Sequence, residues 1–239
     1  MTTTGTTGFD LDFNSIAEEA WERCGAELRS GYDLKTTRRS LNLLTIEWQN
    51  RGINLWTIEQ GEIPLVQGQI TYDLPADTVD LLDFVIRTGT GQNQTDINIS
   101  RISMPTYATI PNKNAQGRPI QVWINRQSGA TYPDGMTTTV KYPQINVWPS
   151  PDGANTYTFV YWRMRRIQDA GNGLNTADIP FRFLPALVAG LAFHLSLKIP
   201  EAQGRVADLK VMYEEAFREA AEEDREKAPL RLAPRQQIF

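Results

Sequence analysis

The period of the apolar positions changes along the chain, and the changes divide it into segments. Near the start Ile16, Ala20, Cys24 and Leu28 recur every four residues, with Ala17 and Trp21 widening the stripe. That spacing predicts a helix opened at Asn14 or Ser15 and closed by Gly31, with Ser15 and Glu18 at capping-box spacing. Leu41, Leu44 and Trp48 predict a second helix, started by Asp33 or Thr36 and stopped by Gly52. Two helices so closely joined should form an antiparallel hairpin.

From Asn54 the period shortens to two. The segments 54–59 and 69–74 alternate as strands do, and Val79 to Arg87 is a more continuous run, expected to be buried on both faces. Gly89-Thr90-Gly91-Gln92-Asn93 reads as a loop. Ile97, Ile99 and Ile102 alternate again, and Ser103 is placed to cap a helical turn through Tyr107. Gly117 to Asn125 begins another strand pair. Residues 144–149 and 156–162, joined by Ser150-Pro151-Asp152-Gly153-Ala154, read as the clearest hairpin.

The stretch Asp178 to Pro200 differs from both patterns. Asp178 is a candidate cap, Pro180 and Pro185 suit the first turns, and Pro200 with Glu201 marks the end. Between Phe183 and Leu197 the apolar residues cover nearly every face, so the helix must be surrounded by protein. Its apolar run of about 15 residues falls short of the ~20 that a bilayer span needs. A last helix follows from Glu201, with Val206, Leu209, Tyr213, Ala216, Phe217 and Ala220 on one face. Its end is acidic, and beyond Pro229 the chain turns basic, with prolines and a final Ile238-Phe239.

The fold class expected is α+β: a four-helix bundle formed by the N- and C-terminal helices, with an inserted antiparallel β-sandwich or barrel. The expected boundaries are a flexible arm over 1–13, a discontinuous bundle of 14–53 and 178–228, a β-rich insertion of 54–177, and a tail of 229–239. The composition is 41% hydrophobic, with 6 Trp, 8 Tyr and 9 Phe, ample for a core at 239 residues. A net charge of -4 argues against a chain built to grip nucleic acid by neutralising phosphates. One cysteine excludes an internal disulfide framework, so assembly in a reducing cytoplasm is expected. The opening Thr/Gly arm lacks the basic start and apolar run of a signal peptide.

Candidate chemistry is sparse. His194 is the one histidine and lies in the apolar helix; Ser196, two residues on, points about 200° away from it. With one Cys and one His, no metal site built from clusters of those residues is expected, and no cofactor. Cys24 falls on an apolar stripe and reads as a small core residue. Gly89-Thr90-Gly91 lacks the rest of a phosphate loop. Asp73, Asp77, Asp80 and Asp83 surround one strand, but no spacing singles out a glycosidase pair. No catalytic residue is therefore assigned. Arg163, Arg165 and Arg166 form a basic cluster that reads as a solvated face or intersubunit ion pairs, with a DNA-facing role as the alternative.

The order of segments resembles the head-to-tail adaptor (connector) proteins of tailed phages, and is similar to the tail tubular or tail accessory proteins of short-tailed phages. The likeness is carried by Arg39-Ser40-Leu41-Asn42-Leu43-Leu44-Thr45-Ile46-Glu47-Trp48 with Gly52-Ile53-Asn54-Leu55-Trp56, and by Val147-Trp148-Pro149-Ser150-Pro151-Asp152. It continues through Tyr161-Trp162-Arg163-Met164-Arg165-Arg166 and Ile179-Pro180-Phe181-Arg182-Phe183-Leu184-Pro185-Ala186-Leu187-Val188. The resemblance implies a non-enzymatic virion protein at the neck, in a ring commonly of twelve copies. Its implied partners are the portal protein above and a tail nozzle or tail tube below. Double-stranded DNA would pass transiently through a central channel, and no membrane is involved. In several such proteins the C-terminal segment inserts along the portal. Here that would assign portal docking to Pro229, Leu230, Arg231, Leu232, Pro234, Arg235, Ile238 and Phe239. The alternatives are a tail- or neck-completion protein without portal contact, and a carbohydrate-binding or carbohydrate-acting β domain.

Overall fold

The structure, a computed structural model, describes residues 3–6, 8–52, 55–126, 143–171 and 173–224. The chain divides into two compact units, one of Met1–Leu55 with Ile167–Phe239 and the other of Trp56–Arg166. Among the described residues the α-helices are α1 (Phe13–Cys24), α2 (Gly31–Asn50), α3 (Met104–Ala108), α4 (Leu184–Ser196) and α5 (Val206–Glu223). The fold is mixed α+β.

In the helical unit the ends of the helices differ from the expected ones. Asp12 caps α1, its carboxylate accepting from the Ser15 N–H at 2.8 Å, because Phe13 is already buried and must be helical. Gly25 ends the helix in the left-handed region at φ 77°, well before Gly31. Gly31 lies instead in the first turn of α2, behind a capping box in which Ser30 and Asp33 satisfy each other's backbone N–H groups. A 3-10 turn over Phe181–Phe183 leads into α4, and Pro185 sits in the first turn, where a missing N–H costs no hydrogen bond. Asp178 does not cap this helix; it accepts from the Gln168 N–H at 3.1 Å. A second 3-10 segment, Pro200–Arg205, precedes α5.

Ten of the 13 residues of α4 are buried. Each of α1, α2 and α5 packs against it. A regular four-helix bundle is not evident, and the reason is local. A helix apolar on all sides needs cover all round, whereas a bundle helix offers one stripe. The cover includes an aromatic group in which Trp48 lies 5.6 Å from Phe183 and 5.4 Å from Phe217, centroid to centroid.

Residues 167–177, expected in the β insertion, belong to the helical unit. Ile167 is buried, the Ala170 N–H donates to Asn42 Oδ1 at 3.0 Å, and the Phe13 N–H donates to the Asn175 carbonyl at 3.0 Å. Asp12 also bridges Thr176, so the last two residues of the expected arm are part of the fold.

In the other unit the strands are β1 (Ile58–Pro64), β2 (Thr71–Asp73), β3 (Thr78–Thr88), β4 (Thr95–Asn98) and β5 (Ser100–Ile102). They continue with β6 (Gln116–Gly117), β7 (Gln121–Asn125), β8 (Gln144–Trp148), β9 (Ser150–Pro151) and β10 (Tyr157–Arg165). One sheet runs β1-β10-β3-β4, another β2-β8-β7-β5, and β6 pairs β9. The first two sheets share one core: Leu81, Phe84, Ile86, Tyr157, Phe159 and Tyr161 from the first meet Tyr72, Val122, Ile124, Ile145 and Val147 from the second. Ser103 caps α3 as its position suggested, accepting from the Thr106 N–H.

Several expectations fail here. No closed barrel forms among the described strands, and the pairing is not wholly antiparallel, since β5–β7 and β6–β9 are parallel. The segments either side of residues 150–154 are not a hairpin. Both edges of β10 are taken by β1 and β3, so β8 joins β7 and β2 in the facing sheet, with its Ile145 and Val147 in the common core. The long β3 is buried continuously only at Phe84–Ile86; Val79 and Leu82 are exposed.

Candidate assembly surfaces

The residues with titratable chemistry are largely tied to one another within each unit. In the helical unit His194 Nε2 stands 3.1 Å from Glu47 Oε2. The other Glu47 oxygen accepts from Tyr213 at 3.0 Å and from Arg51 at 2.7 Å. Arg51 also forks onto Glu214 with two contacts of 2.8 Å and covers the Phe217 ring at 4.6 Å. The hydrogen bond from Arg51 holds Glu214 below the usual carboxylate range, and burial pushes the Tyr213 hydroxyl up. This network joins α2, α4 and α5. Ser196 Oγ donates to the Phe193 carbonyl at 2.7 Å, so it is not paired with His194. Cys24 is buried, its thiol contacts the Ala192 carbonyl at 3.2 Å, and burial pushes its pKa up to about 11.

In the β unit Arg163, on the central strand β10, is nearly enclosed. Its guanidinium meets Asp77 at 2.6 Å, Glu59 at 2.8 Å and Thr78 Oγ1 at 3.0 Å. Arg165 reaches the other Glu59 oxygen at 2.6 Å, while Arg166 is exposed. The run read as one basic cluster is therefore split: Arg163 and Arg165 neutralise carboxylates of their own unit, and only Arg166 faces outwards. Alternation along a strand would have suggested part of that split; the acidic partners, 86 to 106 residues away in the chain, gave no signal.

The four aspartates around β3 do not converge either. Asp73 accepts from Gln144 at 2.6 Å, Asp77 holds Arg163, Asp80 pairs with Arg101 and Arg126, and Asp83 accepts from the Phe84 N–H at 2.8 Å. Among the described residues no group of three His, Cys, Asp or Glu side chains is placed to hold a metal ion. Nor is any described helix long and apolar enough to cross a membrane. The tail residues Pro229, Leu230, Arg231, Leu232, Pro234, Arg235, Ile238 and Phe239 lie outside the described residues.

The helical unit also carries an exposed apolar groove. It measures about 1030 Å³ and runs between α1 and the start of α4. Phe9, Phe181, Leu184, Pro185 and Val188 give it an apolar lining, and Glu18, Glu19 and Glu22 give it an acidic edge. Phe9 and Phe181 are 77% and 74% exposed, a poor arrangement for an isolated chain. Sequence reading placed Phe181 in the first turn of the long helix, ahead of the buried run from Phe183 to Leu197, and so missed the groove; the polar side of the α1 stripe held its other half.

A family model described as SU10 adaptor protein matches residues 13–234. A comparison with curated proteins found no match.

Proposed function

The chain belongs to the SU10 adaptor protein family, a phage adaptor family, and from that premise we propose that it is a non-enzymatic head-to-tail adaptor of a short-tailed phage. In this reading copies of the chain form a ring, of twelve subunits, between the portal and the tail nozzle or tail tube. Double-stranded DNA crosses the ring through a central channel. The observation that carries the reading is the family match over 13–234, which takes in both the helical and the β-rich units. Two physical features support it. Ion pairs within the β unit consume Arg163 and Arg165, and the net charge is -4, so that cluster keeps little charge to hold DNA with. Large exposed apolar side chains on the helical unit suit a protein that completes its surface in an assembly.

The C-terminal residues 229–239 are assigned to the portal. Two arginines and two prolines interrupt the apolar residues there without a core-forming period, which suits a segment that orders on docking. The test is assembly with the portal protein encoded in the same genome, followed by electron microscopy. The expected result is a ring seated on the portal, weakened or lost when 229–239 are deleted. Portal binding that survives this deletion removes the tail assignment. A chain that never binds portal removes the adaptor reading.

A further inference from the structure

Helix α2 has a second organised face. Tyr32, Lys35, Arg39, Leu43 and Ile46 follow at three- and four-residue spacing, and all are exposed, Tyr32 at 73% and Leu43 and Ile46 at 53% each. The opposite side, with Leu41, Leu44 and Trp48, is already buried in the helical unit. Lys35 and Arg39 meet no carboxylate among the described residues. On α1, Glu18 and Glu22 at the edge of the groove meet no cation among the described residues, whereas Glu19 pairs with Arg23. Both unpaired sets have i, i+4 spacing, so each places its two charges about 6 Å apart along a helix. Each set also adjoins exposed apolar side chains, Leu43 and Ile46 on one surface and Phe9 and Phe181 on the other.

We propose that α2 of one copy lies in the α1/α4 groove of the next, with Lys35 and Arg39 facing Glu18 and Glu22. The two surfaces share no residue, so the contact is heterologous. Each added copy leaves one groove and one α2 face free, and repetition closes into a ring when the rotation between copies allows. The opposed charges fix register, and the apolar side chains supply the burial. This rests on the ring reading above and assigns the ring its subunit contact.

Charge reversal tests it. One variant carries Glu18→Lys and Glu22→Lys, giving a basic groove beside a basic α2. The other carries Lys35→Glu and Arg39→Glu, giving an acidic groove beside an acidic α2. All four positions lie at the surface, and unchanged thermal unfolding confirms that each variant folds. With portal present, each variant alone should lose ring formation by at least about tenfold. An equimolar mixture should restore it, because both alternating contacts are then attractive. Rings from either variant alone at the wild-type level, or a mixture that stays unassembled, overturn the proposal while leaving the ring reading intact. If deletion of 229–239 abolishes self-association as charge reversal does, with no rescue on mixing, the groove holds the tail and the proposal is overturned. A wild-type chain that forms no ring on portal removes both readings.

Discussion

The Trp48 indole N–H donates to the Tyr213 hydroxyl oxygen at 2.9 Å, and both side chains are buried. The Tyr213 hydroxyl in turn donates to Glu47 Oε1 at 3.0 Å, so one phenol holds α5 to two successive residues of α2. Replacing Tyr213 with Phe keeps the ring and removes the acceptor, leaving the indole N–H buried without a partner. The expected cost is about 1–3 kcal/mol in urea unfolding. In a Tyr213→Phe background, Trp48→Phe should cost less than it does alone, since the orphaned donor is gone. Strict additivity of the two changes would show that the hydrogen bond contributes nothing.

Gly190 lies in the middle of α4, where alanine would ordinarily be better by about 1 kcal/mol. Here a Cβ would stand 2.8 Å from the Tyr213 ring and 3.0 Å from Leu44 Cδ2. The clash outweighs the helix propensity, so Gly190→Ala should destabilise by about 1–3 kcal/mol. Adding Leu44→Ala should recover little, because the nearer obstacle is the rigid ring. Thermal melts of the single and double variants decide this; a stabilised Gly190→Ala chain would contradict the packing of α4 on α5.

What was legible in the sequence depended on range. The buried character of Leu184–Ser196 could be read from composition alone, because an apolar residue on every face leaves one physical option. The ends of α1 were misplaced by a few residues, since Asp12, Ser15 and Asn14 are all competent caps and tertiary burial of Phe13 chose among them. The hairpin across residues 150–154 was misread for a different reason. Turn residues report that the chain reverses, not which strand it then joins, and β10 had its neighbours fixed by Ile58–Pro64 and Thr78–Thr88. For the candidate surfaces, the acidic groove and the α2 stripe each mix two periodicities in one segment. A search for the core-facing stripe reads the outer one as ordinary solvated residues.

Arg163 links stability of the β unit to pH. Its hydrogen bond holds Asp77 below the ordinary carboxylate value of 3.8. The folded chain therefore binds this proton less readily than the unfolded one, and the stabilisation is complete above the unfolded value. It is lost as pH falls through the depressed folded value. Arg163→Met should destabilise at neutral pH by about 1–2 kcal/mol, a figure reduced for the partial exposure of Asp77 and Glu59. The gap between variant and wild type should narrow on acidification below about pH 4. Urea titrations across that range measure it; a gap constant with pH would mean that Arg163 acts by packing alone.

Cys24 reports on the seam between α1 and α4. The thiol is shielded from solvent, touches the Ala192 carbonyl at 3.2 Å, and is pushed up to about 11 by burial, against a smaller opposing pull from Arg205. The thiolate is the reactive form, so at pH 8 only about one thiol in a thousand is ionised even before access is considered. Labelling with a disulfide reagent should then proceed only through opening of the seam. The native rate should lie orders of magnitude below that of a free thiol and rise in urea along the unfolding curve. In full denaturant the single cysteine should react at once. Occupation of the neighbouring groove by a second copy should slow native labelling further, since it resists the same opening. Rapid labelling of the folded chain, insensitive to urea, would place Cys24 at the surface and break the α1–α4 packing on which the groove depends.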